Sequence, residues 1–257
     1  AIERGTKIHM HIAQGDRETA QMIMRYGQRP IKWLDALGYF DKSLIAVHLT
    51  DATDEEAHLV AQKGSSMILC SNSIGIIDGI VPPAKVFIDS GGIVGLGSDQ
   101  APGNNNHNMF SEMRSTALFN KIKYKDPEIM PAWKVLRMAT IDGARAIGLG
   151  KSIGSLAAGK CADFIMVNLN NATMLPVYTY PMRNMVPNLV YSARGNEVSL
   201  VAVDGKVLYD SGIFNTLDVD SIKMLVNILA KQIGERASQD FIKIHSKNAI
   251  FMKEGKL

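Results

Sequence analysis

The chain has 257 residues, of which 46% are hydrophobic and 21% charged, so it has the composition of a folded globular protein and not of a disordered or fibrous one. A formal net charge of +3, without a run of Lys or Arg, argues against a nucleic-acid tract. Only two cysteines occur, Cys70 and Cys161, with no CxxC pair, which argues against a disulfide framework and against a thiolate zinc site. No apolar run approaches the ~18 residues of a membrane span and no signal-peptide pattern opens the chain, so a cytoplasmic protein without membrane contact is expected.

Short apolar runs alternate with amphipathic stretches through the first two-thirds. The segment Thr6–Ala13 reads as a strand, and 16–27 as a helix with Asp16 as N-cap and Gly27 as C-cap. Leu44–His48 is a second strand, 54–64 a second capped helix, and Ser66–Cys70 a third strand. A helix is expected near Pro83–Ser90, then a strand over Ile93–Gly97. Met109–Tyr124 and Pro131–Leu149 carry apolar residues at three- and four-residue steps, which predicts helices. Strands spaced by helices imply parallel βαβ units, with a sheet covered on both faces. The texture changes near 152. A Gly-punctuated turn leads into an apolar strand ending near Asn168, and Asn188–Ala193 and Val198–Val203 are further strand candidates. Asp204-Gly205 between two apolar runs is a hairpin signature, and the pattern is helical again from Ser221 to about His245. The expected division is 1–150, a partial (β/α) barrel; 151–215, a portion of a small β-sandwich; and 216–257, a C-terminal helical segment.

Barrel enzymes build their sites from polar residues at the C-terminal ends of parallel strands. His9, His11, His48 and Asp99 hold such positions here. His9 and His11 leave one strand face, being two residues apart. Gly95 and Gly97, just before Asp99, permit close backbone approach. Imidazoles with one carboxylate suit a divalent transition metal such as zinc, which leaves a position open for water. Taken singly, each has a plainer reading: a strand-end His as a hydrogen-bonded structural residue, Asp99 as a helix cap. His107 is a weaker pocket candidate, His58 and His245 read as surface residues, and Met22, Met24 and Met113 as core.

The run His11-Ile-Ala-Gln14 with Glu18, the pair Val47-His48, Cys70-Ser-Asn-Ser73, Gly97-Ser-Asp99, Asn104-Asn-Asn-His-Asn-Met-Phe-Ser-Glu-Met-Arg114 and Gly154-Ser-Leu-Ala-Ala-Gly-Lys-Cys-Ala-Asp163 together resemble the amidohydrolase superfamily. Within it, they resemble the cytosine-deaminase-like branch that includes methylthioadenosine/S-adenosylhomocysteine deaminases, guanine deaminases and triazine hydrolases. The resemblance runs from about Ile8 to about Gly212. It implies an α/β fold, the C-terminal half of a (β/α)8 TIM-type barrel (strands five to eight), followed by part of a small β-sandwich and C-terminal helices. It implies a metal-dependent hydrolase acting on an amino- or chloro-substituted nitrogen heterocycle. His11 and Asp99 would bind zinc, or alternatively iron. Asp99 would also shuttle the proton, and His48 would contact the hydrolytic water or the substrate.

Two departures from the family pattern stand beside the matches. Position 14, usually a glutamate that protonates the ring nitrogen, is Gln14, which donates a hydrogen bond but cannot transfer a proton as an acid does. The His-x-His pair of the first strand has no counterpart before residue 6. His9-Met10-His11 has the spacing, but fewer than 90 residues separate it from Asp99, too few for six further strand–helix units at ~30 residues each. The first four strands and the His-x-His ligands are therefore expected from another chain or a missing segment, in an oligomer or completed particle. The alternative reading is a catalytically silent homologue or partner subunit that retains the fold.

Overall fold

The computed structural model describes residues 2–256; Ala1 and Leu257, where the first and last expected segments begin and end, lie outside the described residues. It divides into two compact units, one running to Val207 and the other beginning at Leu208. The first unit is built on four parallel strands in sequential order, β1 (Ile8–Ile12), β2 (Leu44–His48), β3 (Ser66–Leu69) and β4 (Val94–Leu96). Each strand pairs with its successor, which the intervening helices allow. These are α1 (Asp16–Tyr26) and α2 (Pro30–Ala36), then α3 (Asp54–Gln62), then α4 (Ser71–Ile77) and α5 (Ala84–Asp89).

Alternation of side chains across the sheet builds two cores. Leu44, Ala46, Met67, Leu69 and Val94 face a large cluster with Val60, Phe87, Met113, Val135 and Met138. Ile45, Val47, Ile68 and Cys70 face the other way, against Ala146. After β4 come α6 (Ala101–Asn104), α7 (Met109–Tyr124), α8 (Ala132–Met138) and α9 (Ile141–Ala146). Ala146 belongs to α9, which comes so close to β4 that a Cβ on Gly95 would stand 3.0 Å from the Gly143 Cα and 2.9 Å from the Ile68 Cδ1. A side chain at Gly95 would have to push α9 and the Ile68 side chain aside.

The smaller elements correct several sequence expectations. Asp16 is the first helical residue and not the cap; Gly15 holds that position with no side-chain hydrogen bond, while Gly27 closes α1 at φ 69° as expected. Met24 is 78% exposed, so it is not core. The helix expected over 131–149 breaks at Thr140, whose backbone leaves the helical region and whose hydroxyl donates to the Leu136 carbonyl; Arg137 then binds Asp142 across the turn. Asn188–Ala193 is not a strand but lies within and after helix α10 (Met185–Tyr191). Pro187 sits in the first turn of α10, where no amide partner is needed, and the short apolar run is ambiguous by period alone.

β5 (Phe164–Val167) and β6 (Val198–Val203) pair antiparallel, with an irregularity between Met166 and Val167. Asp204 and Gly205 both adopt left-handed conformations, the requirement of a tight hairpin turn, before β7 (Lys206–Asp210). Within the second unit, β7 pairs with β8 (Ile213–Phe214), followed by α11 (Val219–Lys243) and α12 (Lys247–Lys253). No helix among the described residues is long and apolar enough to cross a membrane.

Candidate active site at the strand ends

Four non-glycine residues at or just past the C-terminal ends of these strands take left-handed backbone conformations: Ala13 (φ 50°), His48 (φ 75°), Leu49 (φ 50°) and Asp99 (φ 57°). Each such residue costs about 1–3 kcal/mol, and strain of this kind gathers where side chains must be aimed. His11 is paired in register with Val47, on the face of the smaller core. At His48 the left-handed backbone leaves the β alternation, and its ring lies 4.8 Å from that of His11. One potential ligand atom from each of His11, His48 and Asp99 lies within 4.8 Å of the others. The His9 ring stands outside this trio, 6.4 Å from that of His11.

His48 is 1% exposed, and both its ring nitrogens are buried without a hydrogen-bond partner. Burial, reinforced by the charge of His11 and opposed by Asp99, pushes its imidazole down to about 4. At neutral pH the ring is uncharged and one nitrogen keeps its lone pair. Burial alone would raise the Asp99 carboxyl, but the Ser73 hydroxyl donating at 2.5 Å, the Gln100 amide and the two histidines hold it below its ordinary value. Two imidazoles, one with orphaned nitrogens, beside a fixed carboxylate form a donor set that fits a zinc-type divalent ion. The Cys70 thiol, pushed up to about 12 chiefly by burial, stays protonated and is no thiolate ligand.

A polar network fixes the loop that carries Asp99. Glu112 on α7, fully buried, accepts from the Asn72 amide at 3.2 Å and from the Asn104 side chain at 2.5 Å. Asn104 also donates to the Ser98 carbonyl at 2.5 Å, and His107 contacts the Ser98 hydroxyl at 2.8 Å. Asn72 in turn donates to Ser111 and accepts from Ser115. The Asn104–Glu112 run is thus scaffolding for the β4 loop, and His107 touches that loop and not the trio.

Gln14 follows β1 just beyond its C-terminal end. Its backbone N–H and that of Ala13 both donate to Glu18, while its side chain makes a polar contact with Asp78. Gln14, Glu18 and Asp78 line a cleft of about 670 Å³ with Asp16, Arg17 and Ile80. The sequence alone assigns no role to Ser73, which donates to Asp99, and none to Asp78, which contacts Gln14. The signal for Ser73 was its place just beyond a strand end; for Asp78 it was a lone acid in an otherwise apolar Ile-Gly-Ile-Ile run.

Residues 1–208 match the amidohydrolase family. The chain is 38% identical over 222 residues to a 5-methylthioadenosine/S-adenosylhomocysteine deaminase of Nitratidesulfovibrio vulgaris, covering 86% of this chain and 49% of the relative. It is 38% identical over 218 residues to a deaminase of the same name from Moorella thermoacetica, covering 85% and 50%. Among solved structures, an adenosine deaminase from Xanthomonas campestris with bound zinc superposes with a TM-score of 0.84 at 32% identity, covering 88% of this chain and 51% of that one. An atrazine chlorohydrolase from Arthrobacter aurescens complexed with zinc gives 0.81 at 22% identity, covering 89% and 49%, a likeness of fold. The chain spans about half the length of the relatives it matches.

Proposed function

The chain belongs to the amidohydrolase family, and from that premise we propose that it carries the hydrolytic part of a metal-dependent enzyme acting on amino- or chloro-substituted nitrogen heterocycles of the purine, pterin or triazine class. The observation that carries this reading is the convergence of His11, His48 and Asp99 at one end of the parallel sheet. His11 and Asp99 would hold zinc, with iron as the alternative. When bound, the ion supplies Lewis acidity and brings the pKa of water toward ~7. Asp99, kept ionised by Ser73 and the Gln100 amide, takes a proton from the attacking water and returns it to the leaving group. His48, uncharged and buried, orients the water and the developing oxyanion. Gln14 holds the heterocycle by a hydrogen bond.

The same reading takes β1–β4 as strands five to eight of a (β/α)8 barrel within 1–150, with 151–215 as the sandwich portion and 216–257 as the helical segment. The sheet is open at β1 and β4 among the described residues, and Ile8 and Ile93 beside these edges are exposed. Unpaired strand edges call for a covering element. The remaining strands and the His-x-His ligands would come from an N-terminal segment or a partner chain, in a cytoplasmic particle. The test is metal analysis of the native particle, its mass, and its turnover of 5-methylthioadenosine, S-adenosylhomocysteine and a chloro-triazine. Stoichiometric zinc or iron with release of ammonia or chloride is expected. Full metal occupancy with no turnover would favour the silent homologue.

A further inference from the structure

Hydrolysis of an aminated heterocycle needs a proton on the ring nitrogen beside the reacting carbon, and Gln14 has none to give as an acid. A second carboxyl stands next to it. Asp78 follows α4 directly, the same short helix whose Ser73 orients Asp99, so one element carries both groups to the strand ends. Its side chain meets Gln14 and lies 3.6 Å from the point where a Cβ on Gly15 would stand. Its Oδ2 is buried without a partner, a costly state for a charged carboxylate and a cheaper one for a neutral acid. The charged groups that face it are Asp99, Asp16, Arg17 and Glu18, three of them anionic. Burial first, then the negative charges of Asp99 and Asp16, raise its pKa against the pull of Gln14.

We propose that Asp78 is the acid that protonates the ring nitrogen of the bound heterocycle, with Gln14 holding carboxyl and ring in register. This rests on the hydrolytic reading above. Water gives one proton to Asp99 and its oxygen bonds to the ring carbon, while the C=N electron pair moves to nitrogen and takes the proton of Asp78. The C–N bond to the amine then breaks as Asp99 returns its proton to the departing ammonia. The new hydroxyl gives its remaining proton to the Asp78 carboxylate and becomes the carbonyl. Asp78 and Asp99 both end as they began.

The test uses the full protein with its N-terminal segment or partner, with 5-methylthioadenosine and a chloro-triazine as probes and zinc content measured alongside. Asp78→Asn should lower kcat roughly 10²–10⁴-fold with KM and zinc unchanged. Adding Gln14→Glu to that variant places an acid on the opposite side of the contact and should recover at least about tenfold of the loss. Undiminished kcat in Asp78→Asn, activity lost only in proportion to lost zinc, or a double variant no better than the single one overturns the proposal alone. A wild type that turns over neither probe overturns the hydrolytic reading, and the proton donor with it.

Discussion

From Leu44 to Val47 every residue of β2 is buried against apolar neighbours, whereas the residues that follow, His48 to Asp51, include two left-handed backbones and a ring with no hydrogen-bond partner. The same contrast runs across the sheet. Midway along the strands, Gly95 of β4 lets α9 approach closely and Ala146 packs in the smaller core; at the strand ends lie the left-handed Ala13 and Asp99 and the unpartnered Asp78 oxygen. The apolar centre offsets the strain at the ends. On the proposed function, stability and chemistry occupy different levels of one sheet, and substitutions at the two levels should separate.

The largest expected effect lies at the ends. Asp99→Asn keeps a side chain that tolerates the left-handed backbone but can neither accept the proton nor supply the anionic ligand. Hydrolysis should fall roughly 10²–10⁴-fold or more, with little change in the thermal midpoint. A variant that hydrolyses normally would break the division at its most important point. Next comes the centre. Gly95→Ala forces a Cβ into α9 and the Ile68 side chain, and should cost about 1–3 kcal/mol in denaturant unfolding while folded molecules keep their turnover. Lost turnover without lost stability would show that the centre also serves the chemistry.

The sequence made much of this sheet readable, because apolar runs followed by polar residues mark both the strand and its polar end. Leu44–His48 and Gly97-Ser-Asp99 show that pattern, and the structure brings the strand-end residues His11, His48 and Asp99 together. Contacts between segments far apart in the chain left no such trace. Ser73 and Asp99 are 26 residues apart, and Glu112 reaches Asn72 across 40. Residues 188–193 misled for a local reason: a short run with a β-branched and an aromatic residue fits either period, and packing of α10 against α7 and α8 decides it.

A smaller effect sharpens the comparison away from both levels. Thr53 caps α3 in a reciprocal box, its hydroxyl accepting from the Glu56 amide at 3.2 Å while the Glu56 carboxylate accepts from the Thr53 N–H at 2.9 Å. Thr53→Ala should cost about 1 kcal/mol of stability and leave turnover per folded molecule unchanged. A drop in turnover would tie this helix to the His48 loop through Glu56, Arg29 and Asp51, which are linked by ion pairs.

The smallest effect is a slope with pH, at the junction of the two levels. Glu112 is fully buried and pairs with no cation among the described residues, though amides from Asn72 and Asn104 reach it. Burial dominates those hydrogen bonds and raises its carboxyl above the ordinary range. The folded state therefore holds this proton more tightly than the unfolded chain, where a glutamic acid titrates near about 4.3. The favourable contribution is full below that value and is lost as pH rises through the higher folded pKa. Glu112→Gln removes the titration but keeps a carbonyl acceptor for one of the two donors. Urea unfolding of both proteins from about pH 4 to 8 should show the stability of the wild type relative to the variant falling as pH rises, and then levelling. Parallel curves, or a wild type that gains on the variant with pH, would mean that the carboxylate is well solvated by its amide donors, and that the buried network behind Asp99 carries no electrostatic strain.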